Sequence, residues 1–233
     1  MQPLEGQRRT PGRWYTRRVN HQENASSHED LSVFADAFRN ARLQEFRAAR
    51  PGFLRAVRAD IDAYCLNRAE PVPRSTIARL RAALRLCHPA DDFLALLLYR
   101  LRVALADAGL PVLPRILQFL SAQLSGIRIG SWVLIGEGVY FPHGQVIIDG
   151  FVKVGRGTIL CPWTGLGLMK GSFTGPTLEE NVFVGTGAKI LGPVTIGANA
   201  RIGANAVVVS DVPAGATAVG VPARVIDDGT TAT

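Results

Sequence analysis

Cysteine is scarce in this chain of 233 residues, with only Cys65, Cys87 and Cys161. They are odd in number and show no Cys-x-x-Cys spacing. Neither a disulfide framework nor a zinc site is expected, and the three read as reduced thiols of a cytoplasmic protein. Long apolar runs are also missing. No stretch reaches about 18 uninterrupted apolar residues, which excludes a transmembrane helix. The N-terminus has arginines but no apolar h-region, so no secretory signal is read there. Histidine occurs four times, at His21, His28, His88 and His143, and no second histidine or cysteine stands at metal-ligand spacing. No metal is therefore expected. What is present, 47% hydrophobic and 19% charged residues, argues for a folded chain and against a disordered or fibrous one.

Glycine is nearly absent from the first half. Of 24 glycines, 4 lie in residues 1–124 and 20 in 125–233. Charge divides as unevenly, at +1 for residues 1–30, +6 for 31–124 and 0 for 125–233. The two halves obey different rules.

Residues 1–30 hold five arginines early and three acids late, with almost no apolar periodicity. Such a stretch buries too little surface to offset its ordering cost, so it is expected to be a mostly disordered, solvated basic tail. Trp14 and Tyr15 interleave with its arginines, but nothing downstream supports nucleic-acid binding. Residues 31–124 read as helices. Asp30 is a candidate cap, Leu31, Phe34 and Phe38 follow at helical spacing, and Pro51-Gly52, Pro71 and Pro73 punctuate the segment. Its 14 arginines mostly alternate with the apolar stripe, the pattern of an exposed helical face.

From residue 127 the apolar period becomes six. Anchors fall at Ile129, Ile135 and Phe141 and, after a one-residue slip, at Ile148, Val154, Leu160 and Leu166. The series resumes after an interruption at Leu178, Val184, Ile190, Ile196, Ile202 and Val208. A period of six fits neither a helix nor one long strand. It fits a parallel β-helix in which each hexapeptide supplies one flat side and three complete a triangular coil. Small residues after the anchors accept the corner turns.

Flat-sided prisms expose little concave surface alone, so their sites tend to form in grooves between neighbours, favouring a symmetric oligomer. The segment GLMKGSFTGPT, between Leu166 and Leu178, leaves the period and is expected to form a flexible flap. His143, in VYFPHGQVIIDG, is the one histidine of the repeat region. Just past an anchor, it would face outward at a prism edge, where a near-neutral imidazole suits a general base.

The helical run LLLYRLRVALADAGLPVLPRILQFLSAQLSGIRIG, then IGEGVYFPHG, then VGTGAKILGPVTIGANARIGANAVVVSDVPAGATAVGVPARVI, resembles the serine acetyltransferases over about residues 54–226. The resemblance implies a helical N-terminal domain (31–124) followed by a left-handed parallel β-helix (125–226), flanked by tails at 1–30 and 227–233. It also implies transfer of acetyl from acetyl-CoA to a hydroxyl in a ternary complex. The family's catalytic base falls on His143. Its cofactor contacts carry over to Gly167, Thr186 and Ala204, with Arg201 and Arg224 as basic residues near the cofactor phosphates. A homotrimer or a dimer of trimers is implied.

Departures from the family pattern matter as well. The acid that the family places fifteen residues before the histidine is Arg128 here, and the aspartate just before the histidine is Pro142. An arginine beside an imidazole lowers its basicity. The family's Arg-His pair in the flap corresponds to Thr174-Gly175. Asp149 or Glu137 is left to orient His143, and Lys170 is a further flap cation. On these residues alone the expected acceptor is a sugar, a polysaccharide unit or another hydroxyl-bearing small metabolite. Serine itself, or a non-catalytic hexapeptide scaffold, is the alternative. The terminal DDGTTAT differs from the isoleucine-ended peptide through which the family binds a partner enzyme.

Overall fold

The computed structural model describes residues 25–87, 92–110, 112–170, 172 and 174–226, with side chains from Asp36 onward. Of the expected tails at 1–30 and 227–233, residues 1–24 and 227–233 lie outside the described residues, as do His21 and His88, whereas residues 25–30 belong to the first helix and not to a tail. The chain forms two compact units, one ending at Ala41 and one running from Arg42.

Five helices are described: α1 (Ala25–Ala49), α2 (Phe53–Asn67), α3 (Thr76–Leu86), α4 (Phe93–Asp107) and α5 (Leu113–Ser125). The breakers act where their chemistry requires. Pro51-Gly52 separates α1 from α2. Ser75 caps α3 by accepting from the Ala78 N–H at 3.2 Å. Gly109, at φ +80°, follows the end of α4, and Gly126, at φ +70°, closes α5. One expectation changes. Asp30 lies inside α1 and is not its cap, because nothing between Ala25 and Asp30 interrupts the helix.

The strands wind as a left-handed parallel β-helix. Its first coil holds β1 (Arg128–Ile129), β2 (Val133–Ile135) and, on the third side, Tyr140 bridged to Ile159. The second holds β3 (Ile147–Ile148), β4 (Phe151–Val154) and β5 (Ile159–Leu160). The third holds β6 (Gly165–Gly167), β7 (Thr174–Leu178) and β8 (Phe183–Val184). The fourth holds β9 (Lys189–Leu191), β10 (Thr195–Ile196) and β11 (Arg201–Ile202). A partial turn with β12 (Val207–Val208) leads to an antiparallel pair, β13 (Thr217–Gly220) and β14 (Ala223–Ile226). Three sheets result: side one is β1-β3-β6-β9-β12, side two β2-β4-β7-β10, and side three β5-β8-β11-β13-β14.

All thirteen apolar anchors are buried. A second inward ring stands two residues before them, among its members Val133, Val139, Val146, Val152, Thr158, Thr164, Val182, Ala188 and Ala206. Its two threonines satisfy their hydroxyls on backbone carbonyls, Thr158 on Glu179 at 3.3 Å and Thr164 on Cys161 at 2.6 Å.

A β-helix begins with an open coil whose backbone groups lack strand partners. Here α2 and α4 cap that coil with side chains. On side one, Arg102 donates to the carbonyls of Ile129 and Gly130, each at 2.9 Å. On side two, the Tyr99 hydroxyl donates to Val133 O at 2.9 Å and accepts from Ile135 N at 3.2 Å. Arg100 reaches Ile135 O at 2.6 Å and pairs through Nε with Asp60 Oδ2 at 2.9 Å. On side three, Asp60 accepts from Gly138 N at 2.8 Å and Tyr64 Oη from Phe141 N at 3.4 Å. Arg100 and Arg102 are therefore buried, at 5% and 6% exposure, correcting the reading of the helical arginines as a solvated face.

The flap is shorter than its sequence implies. Thr174 and Gly175 belong to β7, where Thr174 pairs with Phe151, so the expected flap loses these residues to the prism. Leu168 packs where a Cβ on Gly150 would stand, and Met169 does the same at Gly192. The flap's root thus lies on the corner between sides one and two.

Candidate active site

His143 sits on the turn between Phe141 and Ile147, where side three passes into side one, and its side chain is exposed. The turn is held from both directions. Phe141 N–H is bonded to the buried Tyr64 hydroxyl. Beyond His143, a Cβ on Gly144 would stand 2.6 Å from Ser125 O and 3.4 Å from Oδ1 of Asp92. Only glycine fits there. Gln145 follows at φ +67°, and its carbonyl accepts from Trp163 N at 2.9 Å. The buried Asp92, at the start of α4, is thus the carboxylate that lies against this turn, and nothing local in the sequence marks it.

The same corner recurs one coil at a time. Trp163 N bonds to Gln145 O at 2.9 Å, Gly187 N to Pro162 O at 2.9 Å, and Asn205 N to Thr186 O at 2.8 Å. His143, Thr186 and Ala204 therefore share one prism edge, on the first, third and fourth coils. Thr186 and Ala204 are exposed, and among the described residues neither of their N–H groups donates to a backbone carbonyl. Such amides are ready donors for an extended ligand.

The other expected site residues lie elsewhere. Gly167 ends β6 across side one from this edge, and a Cβ there would meet nothing within 4 Å. Arg201 stands on side three, its guanidinium 5.8 Å from the centroid of Phe183. Arg224 is on β14, opposite Val219. Glu137 is committed to Arg55 through two bonds of 2.7 Å, which hold its carboxyl below the usual carboxylate range. That leaves it poorly suited to orienting His143.

Two residues on the edge escaped the sequence reading. Trp163 holds φ +66° and is 59% exposed, an indole presented between the levels of His143 and Thr186. Lys189 donates Nζ to the carbonyls of Trp163 and, at 2.9 Å, Gly187, placing a cation on the same corner. Cys161 lies there too. Burial pushes its thiol up, opposed by a hydrogen bond with Thr186, so it is a protonated thiol at neutral pH rather than a nucleophile. Among the described residues no group of three His, Cys, Asp or Glu side chains could hold a metal ion, and no helix is long and apolar enough to cross a membrane.

Residues 175–210 match the family described as bacterial transferase hexapeptide (six repeats). The chain is 41% identical over 157 residues to the serine acetyltransferase of Synechococcus elongatus, covering 66% of this chain and 63% of that relative. It is 42% identical over 136 residues to the serine acetyltransferase of Helicobacter pylori strain J99, covering 57% of this chain and 79% of that protein. Among solved structures, Neisseria gonorrhoeae serine acetyltransferase in complex with serine superposes with a TM-score of 0.63 at 28% identity, covering 79% of this chain and 73% of that one. A serine acetyltransferase in complex with CoA gives 0.62 at 27% identity, covering 80% and 74%.

Proposed function

The chain belongs to the serine acetyltransferase family, and from that premise we propose that it is an acetyl-CoA-dependent serine O-acetyltransferase. In this reading His143 takes the proton of the serine hydroxyl as its oxygen attacks the thioester carbonyl. The carbon–sulfur bond then breaks, and the proton passes from His143 to the departing CoA thiolate. No acyl-enzyme is needed, in keeping with the protonated Cys161 thiol.

One observation carries the proposal: a single prism edge holds His143 and the unengaged amides of Thr186 and Ala204. Coils stack about 4.8 Å apart, so three steps span about 14 Å, a length suited to an extended pantetheine arm lying along the corner. That a relative has been solved with CoA supports this course of the donor. Gly167, Arg201 and Arg224, which lie off this edge, are the further donor contacts that the family resemblance implies, and Lys189 places a cation on the edge itself.

Acetyl transfer to a hydroxyl is common to every acceptor considered. The sequence alone points toward a sugar or another small metabolite; the relatives described above are named serine acetyltransferases, one of them solved with serine, and they support serine as the acceptor proposed here. The helices and coil act as one catalytic body in this reading, assembled as a homotrimer or a dimer of trimers in the cytoplasm.

The test is a thiol-release assay with acetyl-CoA against serine, homoserine and sugars. Serine is expected to be the acceptor, and His143→Ala to lower kcat about 10²- to 10⁴-fold, the usual share of a general base. Absence of CoA binding by calorimetry sinks the transferase reading.

A further inference from the structure

A cleft of about 220 Å³ opens where α1 gives way to α2 against α4. None of its lining residues belongs to the edge that carries His143, Thr186 and Ala204. Pockets for drug-sized ligands run to about 300–1,000 Å³, so this one suits a smaller guest.

Its walls carry unequal charge. Three arginines, Arg47, Arg50 and Arg100, line the cleft against one carboxylate, Asp107. Arg100 is balanced by Asp60 at 2.9 Å. Arg47 and Arg50 are three residues apart, and the Arg50 N–H donates to Arg47 O at 3.3 Å, so one helical turn sets both side chains toward the cleft. They share Asp107: Nη1 of Arg50 stands 2.8 Å, and Nε of Arg47 3.7 Å, from the same oxygen, Oδ1. Two cations on one anion leave a positive charge over.

That surplus is largely shielded from water. The Arg50 side chain is 13% exposed, and its Nε is buried without a hydrogen-bond partner among the described residues. A buried donor on a charged group is costly to leave unmet, and such an orphan calls for an acceptor. Burial lowers the pKa of the neighbouring Arg102, and the charge of Arg50 lowers it further. An anion beside Arg50 would relieve both.

The remaining wall adds donors. α2 starts at Phe53, and its cap residue Gly52 offers no side chain to the first amides. Gly52 and Phe53 both line the cleft. Arginine forks and helix-start amides together suit a tetrahedral oxyanion. Asp107 selects among such ions. A carboxylate accepts at more than one position, and near neutral pH inorganic phosphate still carries a proton to donate to it. Sulfate carries none and meets only repulsion there.

We propose that this cleft binds inorganic phosphate, held by Arg47, Arg50 and the first amides of α2, with its P–OH hydrogen-bonded to Asp107. The bound ion would join the end of α1 to the start of α2 beside α4. The site stands whether or not the acetyl-transfer reading does.

Calorimetry on the full chain with inorganic phosphate, at constant ionic strength set by chloride, tests it. One saturable site per chain is expected, with sulfate at least tenfold weaker. Arg50→Gln should weaken phosphate about 10- to 100-fold, the worth of one charge-assisted hydrogen bond. Arg47→Gln should do the same, and as Arg47 is 62% exposed it carries the test if the Arg50 variant fails to fold. Asp107→Asn should bring sulfate up to the affinity of phosphate. Absence of a saturable site, or unchanged affinity in the folded Arg47 and Arg50 variants, overturns the proposal. Equal affinity for sulfate in the wild type overturns the choice of phosphate. Binding abolished by saturating CoA would place the ion on the donor's phosphate contacts and overturn the cleft.

Discussion

At the scale of single residues, the corner edge explains why the site was only half visible beforehand. His143 could be picked out because the repeat region holds no other histidine. Trp163 could not, since an aromatic within a repeat reads as packing until the structure shows it at φ +66° and exposed. A tryptophan in the left-handed region is uncommon and persists where its surroundings hold it. Here the backbone bond to Gln145 and the Lys189 ammonium on its carbonyl do so. In the donor course proposed above, the indole flanks the thioester end of the arm. Trp163→Ala should therefore raise KM for acetyl-CoA about 10- to 150-fold, from the loss of roughly 1.5–3 kcal/mol of apolar contact, while KM for serine changes little. Steady-state kinetics with each substrate varied in turn separates the two. A shift confined to serine would move Trp163 to the acceptor side.

At the scale of elements, the helices do more than precede the coil; they finish its open end. Asp60 is 1% exposed and Arg100 5%, and the pair joins α2 to α4 while bonding to the first coil. Breaking such a pair leaves a buried charge without its counterion, which costs about 3–5 kcal/mol. Arg100→Met should lower stability in urea by that amount; a loss under about 1 kcal/mol, within the range of a surface pair, would show that the cap is dispensable. The Arg55–Glu137 pair, also tying α2 to this coil, is more exposed and gives a smaller effect with a pH signature. Arg55 holds the Glu137 carboxyl below its unfolded value, so the contribution is full above the ordinary carboxylate range, near about pH 4.3. It is lost as pH falls through the lowered native pKa. Arg55→Ala should lower Tm slightly at neutral pH, with the difference from wild type disappearing in acid. An offset that persists in acid would assign the loss to the side chain's packing. This docking was not legible in advance. Arg100 and Arg102 alternate with apolar residues as exposed arginines do, and only tertiary packing distinguishes them. The thirteen anchors, by contrast, needed no tertiary information, because a strict period of six puts each inside the prism. The pairing of Arg128 with Ile147 lies between: it follows from the coil length only once the one-residue slip after Phe141 is placed in the corner turn.

At the scale of the whole molecule, α5 shows how one helix serves three surroundings. Leu117 and Ser121 are buried, Arg115, Phe119 and Gln123 face a groove of about 610 Å³ against side one, and Ile116, Leu120 and Leu124 form an apolar stripe at 48%, 38% and 55% exposure. The spacing of that stripe, four residues at each step, is that of a helix face expecting cover. A neighbouring prism in the proposed trimer would provide it. Light scattering coupled to size exclusion is expected to give a mass of three or six times the 25.1 kDa chain. Leu124→Glu, which puts a charge on the stripe without touching the groove residues, should shift the mass toward the single chain. If assembly completes the site, activity should fall with dilution of that variant and recover as concentration rises. A variant that stays monomeric with full specific activity would show that one chain holds all the residues the reaction needs. A variant that assembles as the wild type does would move the contact away from this stripe.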